Sequence, residues 1–200
     1  MAFDRELVTG KIRRWETFLE KYRLPDWAEI PDFGLYMEQV ITLISQYLNY
    51  LPPMLREDQA VTAAAINNYV RTKIMPSPKK KKYYRVHIAY LIMICSLKQN
   101  LSIALISKII PTGIGDEEIR RKYEAFVALQ RISAKRFTDD IRSVIAPILS
   151  QNDSPDFSED QISSLICYSA IFGSLSKLLA EKLILLDGLT LENGGSIETE

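Results

Sequence analysis

Between Asp58 and Asp116 the chain carries nine Lys or Arg residues and no Asp or Glu. Cations with no acid near them in sequence cannot neutralise one another locally. Folding must drive them to the surface, where together they raise a field that favours polyanions. The flanking segments are acidic, with 7 basic and 10 acidic side chains in residues 1–58 and 9 and 15 in residues 116–200. A formal net charge of zero therefore hides a strongly polarised chain.

Four of the nine cations are consecutive, Lys79–Lys82, and Pro76 and Pro78 stand just before them. These prolines forbid a helix through the segment, so the lysines belong to a turn or wing. Upstream, Thr62 is suited to cap a helix running to about Thr72. On a wheel with Asn67 at 0°, Arg71 falls at about 40°, Ala64 at about 60° and Asn68 at about 100°, opposite Ala65, Ile66, Tyr69 and Val70. That polar face suits a DNA major groove: Asn can pair with adenine, Arg with guanine or phosphate, and the small Ala64 permits close approach. A merely solvated face is the ordinary reading of such a pattern, and the adjoining lysines shift the balance toward binding. Lys73, Lys79, Lys80, Lys81, Lys82, Tyr83 and Arg85 are then candidate phosphate contacts, with Tyr83 and Tyr84 either anchoring the wing or touching the DNA backbone.

Residues 85–98 are apolar nearly all round and predict a buried central helix, with His87 at its edge or surface rather than in catalysis. Asn100 and Ser102 mark a stop and a fresh cap before a short helix ended by Pro111. Before the basic segment, residues 4–23 have amphipathic spacing. Trp27, Ile30 and Phe33 read as an extended strap pinned to the core. Met37, Val40, Ile41, Ile44, Leu48 and Leu51 follow helical spacing, stopped by Pro52 and Pro53 before a charged loop from Arg56.

The last third reads as acidic and helical. Asp116–Glu118 suit a helix start, Pro147 kinks or ends the run that follows, and residues 150–160 read as a linker. Ser158 and Gln161 form a capping box for a final helix that Gly188 terminates. That helix has an apolar face including Ile162, Phe172, Leu179 and Leu183. A small-residue stripe, Ser169, Gly173, Ser176 and Ala180, would let another helix approach. Packing within the monomer and a dimer seam both fit.

An apolar content of 47% is ample for a core. Cys95 and Cys167 read as buried free thiols of a reducing compartment, and one histidine with two scattered cysteines supplies no zinc set. The N-terminal residues lack a signal-peptide core, and the apolar runs read as too short or interrupted to span a bilayer. A cytoplasmic protein off the membrane is expected. No cofactor, metal site or catalytic residue is expected either: the TGIG of residues 112–115 is too short for a phosphate loop, and Asp139 and Asp140 diverge by about 100° on a helix.

The stretches LYMEQV (35–40), INNYV (66–70), KKKKY (79–83), HIAYLI (87–92) and LKQNLSI (97–103) resemble a family of uncharacterised bacterial proteins with a MerR-like winged helix-turn-helix domain. The resemblance covers roughly residues 25–190, the later part only in helical character. It departs in a wing without glycine, in Tyr84 at a helix cap, and in Asn67 and Asn68 where an Arg-Tyr pair is usual. It implies an all-α fold with a short β wing and a C-terminal helical domain. The expected division is 1–34 helix and strap, 35–112 winged helix-turn-helix, 116–187 helical dimerisation region and 188–200 disordered tail. It further implies a dimeric transcriptional regulator on double-stranded DNA, with Phe172, Gly173, Ser176, Leu179, Ala180 and Leu183 at a homodimer seam. An effector pocket among the C-terminal helices stays open. The competing reading is a helical adaptor, gripping protein or RNA on the same fold, and neither reading is an enzyme.

Overall fold

The computed structural model describes residues 3–49, 61–150, 156–190 and 192–193, the side chains of 147–150 excepted. Strand β1 (Phe3–Asp4) leads into α1 (Arg5–Lys21), followed by a 3-10 turn, Trp27–Glu29, and helices α2 (Met37–Tyr47), α3 (Ala63–Arg71), α4 (Arg85–Leu97) and α5 (Ile103–Ile109). The long α6 (Asp116–Ser150), strand β2 (Asp156–Phe157) and α7 (Glu159–Leu185) complete the order. The fold is mainly helical. The stop expected at Pro52 and Pro53, the loop from Arg56, residues 151–155 of the expected linker and the tail beyond Asn193 lie outside the described residues.

Helix α4 is the hub. Nine consecutive residues, His87–Cys95, are buried, because its apolar character all round lets it pack on every side. Around it lie Val40 and Ile44 from α2, Ile66 and Tyr69 from α3, Ile106 from α5, and Ile119, Tyr123 and Val127 from α6. Burial pushes the Cys95 thiol up to about 12, which leaves it chemically inert. Cys167, expected to be buried, is exposed.

Three expectations about the connections change. The strap buries Leu24 and Ile30, but it contains a 3-10 turn and leaves Phe33 66% exposed. The turn is held by a bidentate Arg23–Glu29 pair at 2.5 Å. That hydrogen bond, with one from the Asp26 backbone, lowers the Glu29 carboxyl to about 2. Next, of the two outcomes read for Pro147, a kink or an end, the end is excluded, because α6 runs through it to Ser150. Finally, part of the expected linker is a strand. Phe157 pairs with Phe3 and Asp156 with Asp4 in an antiparallel two-stranded sheet. Phe157 is buried beneath the Arg5 guanidinium, 4.3 Å from the ring centre.

Helix α1 lies along α6, with Trp15 edge-on to Phe137 at 5.4 Å and Arg142 bonded to Glu20 at 2.5 Å. The Ser158–Gln161 capping box forms as read, and Gly188 takes φ 78 after α7. By length and composition, α7 is the one described helix able to cross a membrane, with a most apolar window of mean hydropathy 1.5. The sequence reading of an interrupted run did not anticipate this.

Candidate nucleic-acid interface

Helix α3 forms because Thr62 supplies its cap, accepting from the Ala65 N–H at 3.1 Å, and because Ile66 and Tyr69 bury one side. The opposite side carries Ala64, Asn67 and Arg71 exposed and Asn68 half-buried. Arg71 donates to Asn68 Oδ1 at 2.6 Å. This bond uses an Asn68 acceptor and aims the guanidinium, so Asn68 positions Arg71, while Asn67 and Arg71 are exposed to solvent.

The helix ends in a Schellman arrangement. Ile74 N–H donates to Tyr69 O at 2.9 Å, and Lys73 N–H to Val70 O at 3.1 Å. This puts Lys73 at φ 58, the left-handed position that glycine usually fills. Buried Ile74 and Tyr69 supply the apolar contact that accompanies such an end.

The lysine run is a two-residue hairpin. Lys79 and Lys82 exchange both backbone hydrogen bonds at 3.0 Å, and Lys80 and Lys81 at the tip take φ 50 and 63. Positive φ at both central residues marks a type I′ turn, which favours Asn-Gly. Lysine at such positions costs on the order of 1 kcal/mol each relative to glycine. The wing thus achieves without glycine the turn that glycine normally provides. Its β character is limited to two isolated bridges, Lys79 with Lys82 and Tyr83 with Leu35.

Three residues outside the predicted set fix this hairpin. Tyr83 and Leu35 exchange hydrogen bonds at 2.8 Å, which seats the wing against the chain entering α2. Gly34 makes that approach possible, since a Cβ there would lie 2.8–2.9 Å from Lys82 side-chain carbons. His87 is buried and ties entry to exit, its Nε2 bonded to Ser77 O at 3.0 Å and its Nδ1 accepting from the Tyr84 N–H at 3.0 Å. With Nδ1 accepting, Nε2 carries the proton. The Lys82 ammonium lies 5.3 Å from the Tyr36 ring centre. Gly34→Ala is expected to displace the wing and cost about 1–3 kcal/mol, by analogy with overpacking. Denaturant unfolding of the two proteins measures it.

Two predicted contact residues sit elsewhere. Tyr83 is buried and burial raises its hydroxyl pKa, so it anchors the wing and cannot touch phosphate. Arg85 turns inward, its Nε donating to Ile30 O at 2.8 Å, with Asp32 at 3.8 Å and the Trp27 ring at 5.9 Å. It fastens the strap to α4. Of the set, Ala64, Asn67, Arg71, Lys73, Lys79, Lys80 and Lys81 are exposed, and Lys82 is half-buried. Among the described residues no cluster of His, Cys, Asp or Glu could hold a metal ion.

The predicted seam residues on α7 also divide. Phe172, Leu179 and Leu183 are exposed on its outer side, whereas Ala180 packs against the core. Gly173 has nothing within 4 Å of where a Cβ would stand.

A mainly helical domain with a basic hairpin after a polar-faced helix is what geometry defines. Residues 25–126, just over half of the chain, match the domain of unknown function DUF1836, and the chain belongs to that family. The match takes in the strap, α3, the lysine hairpin and α4, and stops within α6. No curated protein and no solved structure matches the chain.

Proposed function

We propose that this protein binds duplex DNA through α3 and the lysine hairpin, in the manner of a MerR-like winged helix-turn-helix, and acts as a transcriptional regulator. One observation carries the reading. Lys73, Lys80 and Lys81 are the non-glycine residues at positive φ among those described, and all three flank or follow α3 within the acid-free interval. Folding alone would favour glycine or asparagine at each. Strained backbone is retained where the side chain has a task, and a lysine ammonium at a hairpin tip has phosphate as its natural partner. On this reading Asn67 meets adenine, Arg71, held by Asn68, meets guanine or phosphate, and Ala64 allows the helix to lie deep in the groove.

Selection of bound sequences from random duplex DNA tests the proposal. A consensus containing adenine and guanine positions that relax in the Asn67→Ala and Arg71→Ala variants respectively is the expected result. Uniform recovery would remove the sequence-reading role of α3, and no recovery would remove DNA as the ligand.

A further inference from the structure

A cleft of about 330 Å³ opens where the strap, the base of the hairpin and the start of α6 meet. Trp27, Tyr84 and Val86 give it apolar walls, and its charges balance, with Lys79, Arg85 and Arg120 set against Asp32, Asp116 and Glu117. Part of that charge is already spent. Arg120 is held by Glu124 at 2.9 Å and stands 3.9 Å from Glu117. Arg85 is different. Its side chain is only 22% exposed, yet Asp32 stands off at 3.8 Å. Its Nε donates to Ile30 O, and among the described residues nothing accepts from the other four of its five donors. A guanidinium largely withdrawn from water with one donor in use carries an uncompensated cost, and its planar fork fits a carboxylate through two parallel bonds. Asp116, exposed at the first position of α6, likewise has no ion pair among the described residues.

We propose that this cleft binds a free α-amino acid with an aromatic or large aliphatic side chain. The ligand's carboxylate takes the Arg85 fork, its ammonium meets Asp116, and its side chain lies against Trp27, Tyr84 and Val86. The balance of charge selects this class. A phosphate ester would be repelled by Asp32, Asp116 and Glu117, and a polyamine by Lys79, Arg85 and Arg120, whereas a zwitterion satisfies both sets. Size agrees, because the volume falls at the lower end of the roughly 300–1,000 Å³ of small-molecule sites. The walls are also set in advance. The Trp27 ring lies 5.9 Å from that of Tyr123, and the Tyr84 backbone is tied to His87, so binding orders little that is not ordered already. The cleft lies beside the hairpin rather than among the C-terminal helices, and binding there does not depend on the DNA reading.

Isothermal titration calorimetry of the full chain with L-phenylalanine, L-tyrosine, L-tryptophan, L-leucine and L-methionine tests the site. At least one of them is expected to bind with one-to-one stoichiometry. The decarboxylated amine and the deaminated acid of that amino acid should each bind at least about tenfold more weakly, since each forfeits a charge-assisted hydrogen bond. Asp116→Asn should weaken the amino acid by about tenfold and remove most of its advantage over the deaminated acid. Arg85→Lys, which keeps the charge and loses the fork, should remove most of its advantage over the amine. Arg85 also fastens the strap, so thermal unfolding accompanies both variants, and Asp116→Asn decides alone if the Arg85 variant does not fold. No binding by any of the five, equal affinity for either analogue, or unchanged affinity in Asp116→Asn would overturn the proposal.

Discussion

Replacing Lys79, Lys80 and Lys81 with glutamate is expected to weaken binding to duplex DNA by at least about 100-fold, or roughly 3 kcal/mol. Three exposed cations at the hairpin become three anions facing phosphate. The salt dependence should flatten too, by about 0.9 in log–log slope for each phosphate that is no longer neutralised. Stability should hardly change, because these side chains project from the tip and the backbone bonds that make the hairpin remain. Lys82 is left intact in this variant because it packs against Gly34 and Tyr36. Electrophoretic mobility shift at two ionic strengths, with thermal unfolding as the control, separates the two effects. Equal affinity in the variant would exclude the hairpin from the interface.

The second large effect has opposite signs in two assays. Lys80→Asn with Lys81→Gly supplies the residues a type I′ turn prefers at positions whose φ is 50 and 63. The folded state should gain about 1–2 kcal/mol from relieved backbone strain, raising the melting temperature by several degrees. DNA affinity should fall about tenfold or more, with a slope shallower by about 2, because two phosphates are left without their cations. A gain in stability with unchanged affinity would mean that the lysines are kept at the tip for something other than DNA. A loss of stability would mean that the turn tolerates lysine without strain.

Local signals were the legible ones. Thr62 and Ser158 cap their helices as their side chains predict, since a cap is decided within three residues. The two faces of α3 and the burial of Ile88–Cys95 follow from spacing and apolarity alone, whereas His87, expected at the edge or surface, is buried through its bonds to Ser77 and Tyr84. What escaped depends on partners far along the chain. Arg85 looks like a phosphate contact when only its basic neighbourhood is considered, yet Ile30 draws it inward, and of the two roles read for Tyr83, anchor or phosphate contact, its pairing with Leu35 leaves the anchor. Gly34, at the end of the segment read as an extended strap, shows nothing of its role until Lys82 is brought across it. Phe157, in what reads as a linker, owes its burial to pairing with Phe3. The positive φ of three lysines leaves no mark in sequence beyond a missing glycine. That absence is the one signal that could have found it, because a hairpin of two lysines must take up the strain itself.

Of the nine cations between Asp58 and Asp116, Arg71, Lys73, Lys79, Lys80, Lys81 and Lys108 are exposed and Lys82, Arg85 and Lys98 are half-buried, while Tyr83 is buried. The most direct test of the cations' role is a titration of the wild-type protein with a fluorescent duplex across about 50–200 mM salt, a range in which phosphate contacts dominate the response. If four of the five exposed cations at the end of α3 and in the hairpin, Arg71, Lys73, Lys79, Lys80 and Lys81, meet phosphate, the log–log slope should be about −3.6. Binding that is absent at the lowest salt, or that does not weaken across the range, would contradict a phosphate-gripping role for these cations.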